Sequence, residues 1–289
     1  MEINVCLVGV HSAGQRRLVL ASLFLVLAAC AGNPSQKIVQ QQGFISQVVA
    51  GAPFLHQVYS NAMSGDTLHV YIEGDGRPWL GKQQVSPDPT PMNPLMLRLM
   101  ASDSEPSIYL GRPCYFNLPD PQCAPQWWTQ GRYSAEVVTS LSSALDYVSS
   151  GHKRIILIGH SGGGTLAMLL AARRSDVVGV ITLAGNLDIT AWANYHGYTP
   201  LALSLNPADE PPLGAAVAQR HYIGEKDSVI TVEMLSRVIE RQPAGTDLKV
   251  IKNADHACCW EETWVDLLEQ FEHSITDEHK ITGQNPPGN

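Results

Sequence analysis

The string Gly159-His160-Ser161-Gly162-Gly163 carries the residue types that nucleophilic chemistry requires. A serine hydroxyl is a weak nucleophile until a neighbouring base takes its proton, and its oxygen must stand clear of the backbone. A sharp turn between a strand and a helix exposes the oxygen in this way, and glycines on both sides remove side chains that would clash. The G-x-S-x-G spacing therefore predicts that Ser161 is a nucleophile, provided that a strand precedes it and a helix follows.

The sequence around Ser161 supplies both elements. Residues 154–158 (RIILI) form a continuous apolar run, as expected of a strand that is buried on both faces. Residues 165–174 are nearly all apolar and predict a helix. Because the motif alone also occurs in ordinary glycine-rich turns, this context is what favours the nucleophile.

Strands and helices alternate along most of the chain. Strands are predicted at residues 67–73, 107–110, 154–158, 177–183, 219–223 and 248–251, and helices at residues 135–150, 165–174, 229–241 and 259–271. The alternation predicts an α/β fold with a mostly parallel central sheet and helices on both faces. Residues 187–217 contain four prolines and no clear period, and we expect them to form a small cap segment. Such sheets bind ligands at the carboxyl ends of their strands.

In motif and element order the chain resembles the α/β-hydrolase superfamily over about residues 44–273. That family places an Asp or Glu and then a His after the serine along the chain. Asp227 follows a predicted strand in a G-x-x-D arrangement that is similar to the family's acid loop, and His256 follows the last predicted strand. The resemblance implies the α/β-hydrolase fold and a catalytic triad of Ser161, Asp227 and His256. Asp188, which follows the preceding strand, is an alternative acid.

Each of the three side chains would have its own role in proton transfer. His256 would take the proton of Ser161 and return it to the leaving group, while Asp227 would orient the imidazole and stabilise its charged form. The resemblance thus implies a serine hydrolase that cleaves carboxylic esters of a small-molecule acyl substrate, with no cofactor and no metal. A peptidase or amidase with the same residues is an alternative, as is a non-catalytic envelope-binding protein on a hydrolase fold.

A hydrolase of this kind also stabilises an oxyanion with two backbone N–H groups. By the resemblance, one belongs to Gly162, directly after the nucleophile, and the other to Asp75, in the turn after the first predicted strand. This turn, residues 73–76 (EGDG), has Glu where the family has His. Because a carboxylate beside an oxyanion is unfavourable, we expect the Asp75 side chain to point away or to pair, for example with Arg77. A plain glycine-rich hairpin is the alternative.

A long loop on the side of the predicted site contains the aromatic residues Trp127, Trp128 and Tyr133 and the turn at residues 111–114 (GRPC). They would wall a substrate pocket, or equally pack as a satellite core under the loop. Because residues 187–217 leave room for only a short cap, we expect small or medium acyl groups rather than long-chain triglycerides.

The N-terminus has the features of an export signal. Two arginines precede an apolar run at residues 18–29, which is shorter than the roughly 20 residues of a membrane-spanning helix. The run ends in LAAC, which resembles the lipobox of bacterial lipoproteins and implies a lipid on Cys30. We therefore expect a signal peptide at residues 1–29 and an exported protein that its lipid anchors to the membrane.

The remaining boundaries follow from this reading. Residues 30–43 carry the lipidated cysteine and a polar spacer, residues 44–275 form the catalytic domain, and residues 276–289 form a loose tail. Residue 31 is Ala, whereas Asp would resemble an inner-membrane retention signal, so we expect the outer membrane, facing the periplasm. An ordinary cleaved signal peptide with a cysteine nearby is the alternative.

Export would place the four cysteines beyond the anchor in an oxidising compartment. Cys114 and Cys123 enclose a short loop with prolines, and we expect them to form a disulfide. Cys258 and Cys259 would form a vicinal bridge, stay reduced or pair with that loop. Together with His256 they lack the fourth ligand of a structural metal site.

The composition is that of a globular protein, with 44% hydrophobic and 16% charged residues among 289. This length suits one α/β domain. The formal net charge is −8 at pH 7, which argues against nucleic acid as a partner, because proteins that bind it usually carry a basic face.

Overall fold

The computed structural model of the chain describes residues 34–81 and 83–282. The strands in this part of the chain are β1 (Ile45–Ala50), β2 (Leu55–Ser60), β3 (Thr67–Ile72), β4 (Trp79–Leu80), β5 (Gln84–Val85), β6 (Ser107–Leu110), β7 (Arg154–His160), β8 (Val177–Leu183), β9 (Ala218–Gly224) and β10 (Asp247–Ile251). β4 and β5 pair with each other, and the other strands form one sheet in the order β1-β2-β6-β3-β7-β8-β9-β10.

Most neighbours in the large sheet are parallel, as the sequence predicted. From β6 through β3, β7, β8 and β9 to β10 every pairing is parallel, so the carboxyl ends of these strands share one edge. The two remaining pairings in this sheet, β1 with β2 and β2 with β6, are antiparallel. The hairpin of β1 and β2 was not predicted, because β1 is largely exposed and lacks an alternating apolar pattern.

Helices cover both faces of the sheet, which confirms the predicted layering. They are α1 (Pro34–Gln42), α2 (Leu95–Met100), α3 (Ala135–Val148), α4 (Gly162–Ala171), α5 (Ile189–His196), α6 (Val232–Ile239) and α7 (Trp264–Thr282). Side chains of α3, α4 and α6 share one core with Ile155 and Leu157 of β7. Those of α1, α2 and α7 share a second core with Ile156 and Ile158. Alternate residues of one buried strand therefore fill opposite layers.

Several boundaries differ from the sequence expectations. Residues 34–42, predicted as spacer, form α1, whose apolar pair Ile38 and Val39 packs against the second core. The last helix begins at Trp264 rather than at Cys259, because Cys259 has a left-handed backbone (φ 75°) that no α-helix accommodates. Its backbone continues to Thr282, past the domain end predicted at residue 275.

The predicted export signal and Cys30 lie outside the described residues. Within residues 34–81 and 83–282, no helix combines the length and the apolar character that crossing a membrane requires.

Candidate active site

Ser161 lies in a sharp turn between β7 and α4. Its backbone angles, φ 51° and ψ −118°, fall outside the regions that residues with a side chain favour. A Cβ atom at Gly159 would lie 2.3 Å from the carbonyl oxygen of Gly163, and one at Gly163 would lie 2.1 Å from that of Ile72. Only glycine therefore lets the chain close at both positions. The G-x-S-x-G pattern predicted a strained turn of this kind between a strand and a helix.

Ser161, His256 and Asp227 form one hydrogen-bonded series. His256 Nε2 lies 3.0 Å from Ser161 Oγ, and His256 Nδ1 lies 2.9 Å from Asp227 Oδ2. The Asp227 side chain is fully buried, and its other oxygen accepts the backbone N–H groups of Val229 and Ile230. These bonds fix the carboxylate, so that Nδ1 of the ring carries the hydrogen and Nε2 is free to accept the serine proton. The structure thus brings together the three residues that the sequence proposed.

His160 is the residue directly before Ser161. It contacts the loop after β10 that carries His256, which we call the histidine loop. Its Nε2 lies 2.6 Å from the carbonyl oxygen of His256. Burial, together with the neighbouring His256 ring, lowers the pKa of His160 to about 4, so the ring is neutral near pH 7. A neutral ring with a hydrogen on Nε2 donates to this carbonyl and holds the loop in place.

The turn after β3 brings Asp75 against Gly162. A Cβ atom at Gly162 would lie 2.2 Å from Asp75 Oδ1, and one at Gly74 would lie 3.4 Å from the Cβ atom of Ser161. Neither the Gly162 nor the Asp75 backbone N–H donates a hydrogen bond to another described residue. Two free donors beside the serine suit the predicted oxyanion hole.

The Asp75 carboxylate pairs with two arginines, and Arg77 is not one of them. Arg112 Nη1 donates to Oδ1 at 2.6 Å, and Arg132 Nη1 donates to Oδ2 at 2.7 Å. The hydroxyl of Tyr133 lies 2.7 and 2.8 Å from the same two oxygens. Burial alone would raise the pKa of Asp75, but the two guanidiniums outweigh it and hold this pKa well below its usual range. The carboxylate therefore stays charged and paired with both arginines.

Of three comparisons with known proteins, only the one with solved structures found matches. A scan with protein-family models and a search of curated proteins each gave no match. Among solved structures the chain is similar to a membrane phospholipase A described as a bacterial virulence factor, with 15% identity, a TM-score of 0.59 and coverage of 91% of this chain and 99% of that one. It is also similar to an esterase from Pyrococcus furiosus, with 12% identity, a TM-score of 0.61 and coverage of 82% and 93%. A third similar structure, an alpha-beta serine hydrolase homologue from Coxiella burnetii, has 14% identity, a TM-score of 0.52 and coverage of 80% and 97%.

The chain has the α/β-hydrolase fold. In this α/β-hydrolase fold Ser161, Asp227 and His256 follow β7, β9 and β10, at the carboxyl ends of parallel strands. The predicted position of the site at this edge of the sheet agrees with the general rule for open α/β sheets.

A cavity of about 1230 Å³ opens over Ser161 and His256. The cap segment forms one wall with Trp192, His196 and Tyr198, and the rings of His196 and Tyr198 are stacked with their centroids 5.1 Å apart. The residues between β3 and β6 contribute mainly apolar side chains, which are Pro78, Trp79, Pro91, Met92 and Leu95. Of the predicted cap segment, Trp192 and residues 196–201 line the cavity.

The tryptophans of the long loop do not line this cavity. Trp128 is buried and donates from Nε1 to the carbonyl oxygen of Ser86, and Trp127 packs edge-on against Phe54 with ring centroids 5.3 Å apart. Both belong to the first core, Trp128 as a buried member and Trp127 packed against it, so they form neither a pocket wall nor a separate satellite core. The same loop contributes Arg132 and two neighbouring residues, Thr129 and Gln130, to the cavity.

Sequence reasoning missed Arg112 and Arg132 as the partners of Asp75. Both flank the aromatic loop, at the Gly-Arg-Pro-Cys turn and directly before Tyr133. Their pairing with Asp75 depends on three distant segments meeting, which no local pattern reveals. The signal that could have raised the question was the predicted carboxylate beside an oxyanion, since such a group requires cationic partners.

Asp188, the alternative acid, has a different task. Its Oδ1 accepts the N–H of Ala191 at 2.9 Å and so caps the first turn of α5. The described structure gives it no bond to His256, whose Nδ1 is bonded to Asp227 instead.

The four described cysteines are paired. Cys114 is joined to Cys123, and Cys258 is joined to Cys259. The rival pairing between the aromatic loop and the histidine loop is therefore not formed. Because the sulfurs of Cys258 and Cys259 are bonded to each other, they are not thiolate ligands for a metal beside His256.

Proposed function

We propose that this chain is a serine hydrolase that cleaves carboxylic esters through an acyl-serine intermediate. The observation that carries the proposal is the hydrogen-bonded series from Ser161 through His256 to Asp227 at the floor of an open cavity. Each member lies on a different segment of the chain, and the buried acid is fixed by two further backbone bonds. A merely structural polar cluster would not need a strained serine backbone to complete it.

The geometry supports a two-step reaction. His256 takes the proton of Ser161 as its oxygen attacks the ester carbonyl, and then returns the proton to the departing alcohol. The backbone N–H groups of Gly162 and Asp75 would hold the oxyanion. Water then attacks the acyl-serine, with His256 again acting as the base. Because Arg112 and Arg132 balance the Asp75 carboxylate, this carboxylate does not oppose the negative charge on the oxyanion.

The substrate proposal rests on the cavity and on the similar structures. Two of these are named as an esterase and as a phospholipase A, which favours an ester over an amide. The apolar walls suit an acyl chain, and the short cap favours small or medium acyl groups. An amidase with the same residues is the alternative that the assay must separate.

The test combines a substrate panel with an active-site label. The purified protein is assayed with 4-nitrophenyl esters of increasing chain length and with aminoacyl 4-nitroanilides, and is treated with a fluorophosphonate probe. We expect ester turnover and labelling, both lost by several orders of magnitude in Ser161→Ala, as is typical for a triad nucleophile. Ser143→Ala, on α3 and away from the cavity, is the matched serine control. Undiminished labelling of Ser161→Ala would contradict the assignment, and a wild-type protein without labelling or turnover would favour the binding-protein alternative.

We also propose that the protein is exported and that a lipid on Cys30 anchors it to the cell envelope, at the outer membrane facing the periplasm. The apolar run and the LAAC string support this proposal. Mass spectrometry of the mature N-terminus tests it: we expect a lipid-modified Cys30 as the first residue. An unmodified Cys30, or a first residue elsewhere, would refute it.

A further inference from the structure

The cluster around Asp75 contains more positive charge than the carboxylate can balance. Arg112 and Arg132 are both at most 5% exposed, and each pairs with one oxygen of Asp75. Arg112 also leaves its buried Nε without a partner among the described residues. Two buried guanidiniums against one carboxylate leave an excess of one positive charge beside the predicted oxyanion hole. Such an excess is costly unless an anion offsets it.

Arg132 lines the cavity, whereas Arg112 does not. Its Nε donates to the carbonyl oxygen of Thr129 and its Nη1 to Asp75. No hydrogen bond from its Nη2 to another described residue is formed, and this nitrogen is not enclosed by protein. Because Arg132 lines the cavity, the free Nη2 is available to a ligand that enters it. A guanidinium held by two other bonds is preorganised for one further acceptor.

The remaining charges around the cavity do not cancel this excess. Among the described lining residues the acidic ones are Glu73 and Asp75, and the arginines are Arg77 and Arg132. Burial raises the pKa of Glu73 to about 8, so this side chain is largely uncharged near pH 7. Asp227 does not line the cavity and is bonded to His256. Near pH 7 the two lining arginines therefore outnumber the charged carboxylates that line the cavity.

We propose that Arg132 forms an anion subsite and that the preferred substrates are esters with a carboxylate or phosphate group near the scissile carbonyl. This inference rests on the proposed ester hydrolysis. The Asp75 carboxylate accepts from Arg132 through Oδ2 and lies against Gly162 through Oδ1, so the anion is bound near the reacting carbonyl while the acyl chain lies along the apolar side chains of the cavity.

The test compares matched anionic and neutral esters. A carboxylate on the acyl side is probed with mono-4-nitrophenyl glutarate against 4-nitrophenyl pentanoate. A phosphate on the leaving group is probed with 4-butyryloxyphenyl phosphate against 4-methoxyphenyl butyrate. For each ester, kcat/KM is divided by the rate of spontaneous hydrolysis. The quantity compared is the ratio of this corrected value for the anionic ester to that for the neutral ester. In the wild type we expect a ratio of about ten or more in at least one series, as expected for one hydrogen bond to a charged group.

Variants assign the preference to a residue. Arg132→Gln should bring the ratio close to one, whereas Arg132→Lys, which keeps the charge but not the forked geometry, should retain part of it. Arg77→Gln removes an equal charge from an exposed position at the same cavity and should leave the ratio high. A ratio that falls in Arg77→Gln and not in Arg132→Gln would overturn the proposal. A wild-type ratio near one in both series overturns it even if Arg132→Gln fails to fold.

Failure of this inference is distinguishable from failure of the proposed function. If neutral esters are hydrolysed through Ser161 and anionic esters are not preferred over them, only the proposal of the anion subsite is overturned. If no ester is hydrolysed, the proposed function fails, and calorimetric titration with glutarate and with inorganic phosphate still tests the subsite. Binding that Arg132→Gln weakens would then support the subsite, and an absence of binding to the wild type would overturn it.

Discussion

His160 Nε2 lies 2.6 Å from the carbonyl oxygen of His256, so the residue before Ser161 holds the loop that carries His256. The two imidazole rings lie 5.0 Å apart, and the neutral His160 does not compete for the serine proton. The strained turn therefore positions Ser161 and His256 at the same time, through consecutive residues.

This contact makes His160 a positioning residue with a testable signature. His160→Ala removes the donor and lets the histidine loop shift, and we expect kcat to fall by about 10- to 100-fold, since small displacements in a catalytic site have effects of that size. His160→Gln can still donate from its amide and should recover part of the loss. Steady-state kinetics of both variants, with circular dichroism to confirm folding, checks this. Equal losses in the two variants would argue for a packing role alone.

Asp227 is expected to matter for the tautomer of His256 rather than for the fold. Asp227→Asn should lower kcat by on the order of 10⁴, because the amide no longer holds the ring hydrogen on Nδ1. Its Oδ1 can still accept from Val229 and Ile230, so the structure should persist.

Asp188→Asn is the matched control for this change. Asn caps helices about as well as Asp, so α5 should remain capped and turnover should stay near wild type. Ester assays on both variants decide between the two acids. If Asp188→Asn loses ester turnover and Asp227→Asn keeps it, the assignment of Asp227 as the acid of the triad is wrong.

The charge of Asp75 should contribute strongly to stability. Asp75→Asn leaves the buried guanidiniums of Arg112 and Arg132 without a counter-charge, which costs about 3–5 kcal/mol of unfolding free energy. Because the folded-state pKa of Asp75 is depressed, the wild-type advantage is present above the unfolded value near 3.8 and is lost only as the pH falls through the lower folded pKa.

Urea denaturation at neutral and at strongly acidic pH measures this difference. The exposed pair of Asp66 and Lys153 provides the control, and Asp66→Asn should change the unfolding free energy by about 0–1 kcal/mol. Equal effects of the two substitutions at neutral pH would show that the buried cluster is not the stabilising feature described here.

Glu73 has the opposite pH dependence. Its pKa is raised from 4.5 to about 8 by burial, so between these values the folded state retains a proton that the unfolded state releases. The unfolding free energy should therefore fall as the pH rises through this window. The loss of unfolding free energy should be complete above about pH 8. Glu73→Gln keeps an acceptor for the N–H of Met96 and removes the ionisation.

The comparison is a series of denaturation midpoints from pH 4 to pH 9. Glu73→Gln should be close to wild type at pH 4 and more stable than wild type at pH 9. Glu262→Gln, at an exposed position, should follow the wild-type curve. A wild-type curve with the same slope as that of Glu73→Gln would rule out this role for Glu73.

Local patterns predicted the parts of the molecule whose structure is local. Ser161 was proposed because its turn, strand and helix are consecutive. Asp227 and His256 were proposed because they follow strands in the chain order of the family that the chain resembles. The partners of Asp75 were not found, since Arg112 and Arg132 reach it across loops whose path is set by tertiary packing. The start of α7 was misplaced because the backbone of Cys259 interrupts an otherwise helical pattern.

The position of β10 at the end of the sheet has a consequence for how activity is lost. Among the described strands it pairs only with β9, and its residues are exposed or half-buried. By contrast β7, which leads to Ser161, is buried between two neighbours. Segments with few buried contacts open first in native proteins. Detachment of this edge would carry His256 away while Ser161 and Asp227 stay in place. Under the proposed function, mild denaturant would then abolish ester hydrolysis while most backbone amides remained protected from hydrogen exchange.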